Sequence, residues 1–110
     1  MRTWKDTTET ALKAGNYCFD YDSNGDLLVM QKKDRMVKFV ETIEKMKKNC
    51  NISIEYQVED VGVFKMLRIK NNADFKTKDI TTMCDGCKTH ACDGERLGFE
   101  NLKARSRWYR

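Results

Sequence analysis

The spacing of hydrophobic residues along the first two thirds of the chain alternates between the period of a helix and that of a strand. Residues 3–14 have the helical period and predict a short helix, in which Trp4 lies in the core or at its edge. Thr3 followed by Asp6 resembles a capping box, and Gly15 is a typical helix stop. We therefore expect the chain to begin with a capped helix.

Residues 34–49 show the strongest helical pattern in the chain, and Asp34 is the predicted N-cap. Lysines gather in the last turns, where cations stabilise the helix dipole, and we prefer this role to a binding patch. The positions expected to face the core are Met36, Phe39, Val40, Ile43 and Met46.

Residues 16–32 predict a β-hairpin, because alternating aromatic residues and a hydrophobic run flank Asn24-Gly25. This dipeptide is typical of a two-residue type I′ turn. The hydrophobic residues of the hairpin are expected to pair across the turn.

A second hairpin is expected further along the chain. Residues 52–58 alternate cleanly, with Ile52, Ile54, Tyr56 and Val58 directed inward, and Glu59-Asp60 is the predicted turn. Residues 61–70 carry hydrophobic side chains on both faces, which indicates a central strand.

These elements predict an α+β fold, in which an antiparallel sheet of two β-hairpins carries helices on one face. Residues 1–78 would form the body. Residues 79–110 would add a cysteine-rich, zinc-type loop and a short C-terminal helix, packed on or beside the body. The sequence shows neither an internal repeat nor a low-complexity linker.

Composition narrows the class of protein. The 110 residues contain no hydrophobic run near the ~20 residues of a membrane span, and the N-terminal residues lack the hydrophobic stretch of a secretory signal. Five cysteines, an odd number, fit poorly with a secreted disulfide framework. We expect a cytoplasmic protein, within the host cell if its source is viral, with no membrane and no small-molecule substrate among its partners.

The net charge of +4 is confined to one end of the chain. The last ten residues hold four basic residues and no acid, so the other 17 basic residues balance the 17 acidic ones. A neutral body with a basic end concentrates positive potential at that end.

Residues 84–95, CDGCKTHACDGE, contain three of the cysteines and the only histidine. Thiolate and imidazole are the ligands that zinc prefers, and a Cys-x2-Cys turn can place two sulfurs on one ion. Four protein ligands leave no open position, so the predicted zinc is structural. The predicted ligands are Cys84, Cys87, His90 and Cys92.

The Cys-x2-Cys pair resembles the first half of the zinc knuckle of retroviral nucleocapsids, whose order is Cys-x2-Cys-x4-His-x4-Cys. The second half is shorter here, so His90 and Cys92 are separated by one residue, and Cys50 or Cys18 is an alternative fourth ligand. A redox disulfide, an iron–sulfur cluster and unligated thiols are the other interpretations of the segment.

The basic end alternates arginines with aromatic residues. Arginine makes bidentate contacts with phosphate, and an aromatic ring stacks on unpaired bases. The alternative is that Trp108 and Tyr109 dock on the body. The residues expected to contact nucleic acid or a partner are Lys103, Arg105, Arg107, Trp108, Tyr109 and Arg110.

These features predict a small, non-enzymatic, zinc-stabilised protein that contacts nucleic acid or a nucleoprotein complex through its basic aromatic end. The enzyme alternative is a metal-dependent nuclease built on Asp20, Asp22 and Asp26, although aspartate is common in turns for backbone reasons. The alternative binding class is a phage-type accessory inhibitor, since the short lysine- and asparagine-rich chain is similar in style to the anti-CRISPR inhibitors. Such an inhibitor would act by direct contact with a protein that can itself handle nucleic acid.

Overall fold

A computed structural model of the chain describes residues 3–15 and 17–81. Within this part the protein has an α+β fold of two helices and a four-stranded antiparallel sheet, as the sequence predicts. The predicted zinc-type loop and C-terminal helix lie outside the described residues, and so does most of the predicted segment 79–110. In the part of the chain that the structure describes, no helix is long and hydrophobic enough to cross a membrane.

Helix α1 spans Trp4–Ala14, close to the predicted bounds. The Thr3 hydroxyl oxygen accepts a hydrogen bond from the Asp6 backbone N–H at 3.1 Å, which satisfies one of the unpaired donors at the helix N-terminus. The Gly15 backbone N–H donates to the Ala11 carbonyl at 3.1 Å and closes the last turn. The predicted cap and stop are therefore confirmed.

Helix α2 spans Lys33–Asn49, and its N-cap is Lys32 rather than the predicted Asp34. The preceding strand stays paired with its neighbour as far as Lys32, so the helix begins directly where the strand ends. Asp34 consequently lies in the first turn, where a carboxylate still stabilises the helix dipole. The prediction of the core side holds for four of the five residues, which are buried: Met36, Phe39, Ile43 and Met46.

Strands β1 (Cys18–Tyr21) and β2 (Leu27–Lys32) form the first hairpin, but the predicted two-residue turn is wrong. A longer loop over residues 22–26 joins the strands. Its only positive φ angle is that of Gly25, at 83°. A side chain explains the difference: the Asp22 carboxylate accepts from the Asn24 and Asp26 backbone N–H groups, both at 2.9 Å. These bonds favour an aspartate-centred turn over type I′.

Strands β3 (Tyr56–Val61) and β4 (Phe64–Ile69) form the second hairpin, and its turn lies at Gly62-Val63 instead of Glu59-Asp60. Gly62 adopts a φ angle of 64°, which glycine allows without strain and the two acidic residues do not. The predicted alternation of residues 52–58 is only half right, because pairing starts at Tyr56.

The strand order is β1-β2-β4-β3, so β2 and β4 are central, as the two hydrophobic faces of β4 predict. β2 pairs with β4 in a register that aligns Val29 with Leu67 and Met30 with Met66. Because side chains alternate along a strand, this register separates two hydrophobic sets, one on each face of the sheet.

The helices pack on one face of the sheet, here called the helix face. Phe75 and Ile80, from the segment after β4, complete this core and are fully buried. The ring of Phe75 lies 4.4 Å from that of Trp4, which ties the segment to α1. The central buried residues of the helix face are Leu12, Phe19, Leu27, Val29, Phe39, Ile43, Leu67 and Ile69.

Candidate functional site

The sequence-predicted site residues fall outside the part of the chain that the structure describes. This applies to the zinc ligands Cys84, Cys87, His90 and Cys92, and to the basic aromatic end from Lys103 through Arg105, Arg107, Trp108, Tyr109 and Arg110. Zinc binding and nucleic-acid contact therefore stay predictions. Among the described residues, no group of three or more histidine, cysteine or acidic side chains could hold a metal ion.

The two cysteines proposed as alternative ligands lie on opposite sides of the sheet. Cys18, in β1, is 1% exposed and packs with Leu28 and Met30 on the face that carries no described helix. Cys50 is the C-cap of α2 and packs against the core of the helix face. A metal-binding loop docked on one face could therefore reach only one of these two thiols.

The aspartates near the first hairpin form a charged cluster with Arg68 of β4. The Arg68 guanidinium donates two hydrogen bonds to one Asp26 carboxylate oxygen, at 2.8 and 3.0 Å, and its Nε lies 3.3 Å from Asp22. The other Asp26 oxygen accepts from the Asn71 backbone N–H at 3.0 Å. These carboxylates join the loop, the sheet and the segment after β4.

This arrangement assigns a structural role to two of the three carboxylates of the nuclease alternative. Asp22 and Asp26 have side chains only 5% and 9% exposed, and each carboxylate is bound by a guanidinium and by backbone N–H groups. A catalytic metal would have to replace Arg68 at the Asp26 oxygen. The geometry favours the backbone reason for aspartate in this loop.

A groove runs between α1 and α2 on the outer side of the helix layer. It contains adjoining cavities of about 430 and 730 Å³, which share Thr42. Among the described residues that line it, three are cations, Arg35, Lys38 and Lys45, and none is acidic. Small side chains of α1 form the opposite wall, so an extended ligand could lie between the helices.

The groove was not identified from the sequence, although a signal was present. Arg35, Lys38 and Lys45 follow one stripe of α2, three and seven residues apart. Sequence reasoning placed the lysines of this helix in solvent or at its dipole. Only the packing of α1 beside this stripe makes it one wall of a groove.

Three tyrosine hydroxyls join the helices and loops to the sheet, and each has a pKa above the usual value. Burial raises the pKa of Tyr17, which donates to the Arg35 carbonyl, and of Tyr21, which donates to the Ile80 carbonyl. The hydrogen bond from Tyr56 to the Glu44 carboxylate, followed by burial, raises the pKa of Tyr56 to about 12.

The stability of the fold should therefore fall in strong alkali. A tyrosine whose folded pKa exceeds its unfolded value stabilises the fold fully below the unfolded pKa, and this contribution is lost as the pH rises through the folded pKa. For Tyr56 the window runs from the usual pKa of 10.0 to about 12. Urea denaturation at about pH 9 and about pH 11.5, on either side of the unfolded pKa, should show a loss of stability that is smaller in Tyr56→Phe. An equal loss in the variant would contradict the assignment.

Comparison with known proteins finds no family model, no curated protein and no solved structure that matches this chain.

Proposed function

We propose that this protein is a small, non-enzymatic binding protein, stabilised by structural zinc, that contacts nucleic acid or a nucleoprotein complex through its basic aromatic end. The observation that carries the proposal is the charge distribution: the whole formal excess of +4 lies in the last ten residues, where arginines alternate with Trp108 and Tyr109. Phosphate neutralisation by such residues provides sequence-independent affinity, and the aromatic rings provide stacking surfaces for unpaired bases.

The groove between α1 and α2 supports the proposal from the described part of the chain. Arg35 and Lys45 are ten residues apart on one helix, a distance of about 15 Å along its axis. At about 3.4 Å per nucleotide along one strand, this length matches roughly four phosphates. A backbone that reaches the basic end could thus continue along the groove.

Charge removal at the basic end tests the proposal. Replacing Arg105, Arg107 and Arg110 by glutamine should weaken binding to all nucleic-acid sequences. The slope of log affinity against log salt should flatten by about 0.7–0.9 for each phosphate that the variant no longer neutralises. The measurement is fluorescence anisotropy with labelled single-stranded and duplex oligonucleotides at several salt concentrations. Trp108→Ala should lower single-strand affinity further, by about 1–3 kcal/mol if a base stacks on the ring, and duplex affinity much less.

The matched control removes three exposed lysines elsewhere, in the triple variant Lys70→Gln, Lys76→Gln and Lys78→Gln. The net charge falls equally, so an effect confined to the arginine variant identifies a contact and not a general field. The triple variant Arg35→Gln, Lys38→Gln and Lys45→Gln tests the groove in the same way. Wild-type protein that ignores nucleic acid even at low salt would overturn the proposal and favour the inhibitor that binds a partner protein directly.

A further inference from the structure

The face of the sheet opposite the helices is hydrophobic and buried; it is here called the second face. Leu28 and Met66, in the two central strands, are 0% exposed. Cys18 and Met30 extend the same row toward the β1 edge, since the register aligns Cys18 with Met30 and Met30 with Met66. The complete set is Cys18, Leu28, Met30, Val61 and Met66, with Phe64 partly buried beside them.

None of the described helices or loops accounts for this burial. Both helices contribute their buried residues to the core of the helix face, and so do Phe75 and Ile80 of the segment after β4. Side chains on an uncovered sheet face remain partly accessible to solvent, because only their strand neighbours shield them. A face with Leu28 and Met66 fully buried must therefore have a cover.

The described chain ends beside the edge strand that borders this face. The Tyr21 hydroxyl of β1 donates to the Ile80 carbonyl, and the Thr81 backbone N–H donates to the Glu9 carboxylate at 3.2 Å. Thr81 is thus placed between α1 and β1, and β1 is the outermost strand on that side. A chain continuing from Thr81 has to pass one strand to reach the second face.

We infer that residues 82–110 bind across the second face and form its cover. The burial is a property of a single chain, so the cover comes from the same molecule and not from a second copy or another protein. The segment is long enough, because four strands span only about 14 Å between the outer strand axes, and a helix over residues 97–110 would be about 21 Å long. Its hydrophobic residues are Met83, Leu97, Phe99, Leu102, Trp108 and Tyr109.

The inference is independent of the proposed nucleic-acid contact, and it has a consequence for the cysteines. A cysteine loop on the second face lies on the same side of the sheet as Cys18. Cys50 packs on the helix face. Of the two alternative ligands, only Cys18 would then be near Cys84 and Cys87. The arginines of the basic end would lie on the outer side of the cover.

Photo-crosslinking in the full chain tests the inference. Phe64 would be replaced by p-benzoylphenylalanine, a larger aromatic residue at a partly buried position of the second face. The control carries the same residue in place of Val37, which is 51% exposed on α2. After irradiation, the Phe64 variant should give a crosslink within the monomer to a peptide from residues 82–110, and the control should not. Crosslinked dimers, or crosslinks only to residues 3–81, would overturn the inference.

Hydrogen exchange provides a second measurement that does not depend on the crosslinker. Met66→Ala shortens a buried side chain of the second face, while Val63→Ala changes a turn residue that is 68% exposed in the same hairpin. Amide exchange in residues 82–110 should become about tenfold faster in Met66→Ala, without an equal rise in α2, because only the packing of the cover is weakened. Unchanged exchange in residues 82–110 would contradict the inference.

Discussion

Protein purified without chelator should contain about one zinc ion per chain, and a chelator should loosen residues 82–110. The predicted ligands are Cys84, Cys87, His90 and Cys92, whose thiolates and imidazole satisfy a tetrahedral ion. Binding of structural zinc is worth about 10–16 kcal/mol in zinc-finger peptides and contributes directly to folding. This is the largest effect expected for the protein. Elemental analysis and native mass spectrometry measure the stoichiometry, and hydrogen exchange locates the change.

Single cysteine variants identify the ligands. Cys84→Ser should abolish stoichiometric zinc, because it removes one sulfur of the Cys-x2-Cys pair. If the fourth ligand comes from the body, Cys18→Ser should also lower the zinc content, whereas Cys50→Ser is the control with its thiol on the helix face. An apo mass for the wild-type protein, with all five thiols freely titratable, would return the predicted ligands to ordinary loop residues.

Asp26→Ala should destabilise the described fold by about 2–4 kcal/mol. Removing one partner of a fully buried ion pair costs about 3–5 kcal/mol, and the Arg68 side chain retains 19% exposure, which reduces the loss. The variant leaves the Arg68 guanidinium without its bidentate partner and the Asn71 N–H without its acceptor. Urea denaturation followed by circular dichroism gives the free energy of unfolding.

Asp60→Ala provides the matched control for this prediction. Asp60 also forms two ion pairs, with Lys33 at 3.8 Å and Lys65 at 3.2 Å, but its side chain is 58% exposed. Exposed pairs contribute at most about 1 kcal/mol, and salt screens them. A loss for Asp26→Ala no larger than for Asp60→Ala would show that the Asp26 cluster does not hold the loop to the sheet. Asp26→Asn should give an intermediate loss, because it keeps an oxygen for the Asn71 N–H.

The elements that sequence predicted best are those determined by interactions between residues close in the chain. The Thr3 cap and the Gly15 stop of α1 need only partners within four residues, and both are present. The core side of α2 follows from a period that one helix determines by itself. The central position of β4 also follows from the chain, since hydrophobic residues on both faces require cover on both sides.

The turns were predicted less well, because side chains and register compete with dipeptide preference. Asn24-Gly25 is a strong type I′ signal, yet the Asp22 carboxylate binds two backbone N–H groups and selects a longer loop. Glu59-Asp60 are polar enough for a turn. They remain in β3 because an edge strand leaves their side chains in solvent, and because Gly62 accepts the positive φ angle of the turn.

The sequence by itself determined the α+β composition, the helix boundaries at α1, and the concentration of positive charge at one end of the chain. It also placed cysteines and histidine at spacings that suit zinc. These properties depend on residue type and on neighbours within a few positions, which one chain displays directly.

Tertiary structure alone decided which distant groups meet. Arg68 reaches Asp26 across 42 residues, Phe75 packs on Trp4, and the cations of α2 become a groove only beside α1. The buried second face likewise results from the register of β2 with β4, which aligns Met30 with Met66. Such interactions depend on the order of strands and on how the layers pack, and neither is encoded in the local spacing of residues.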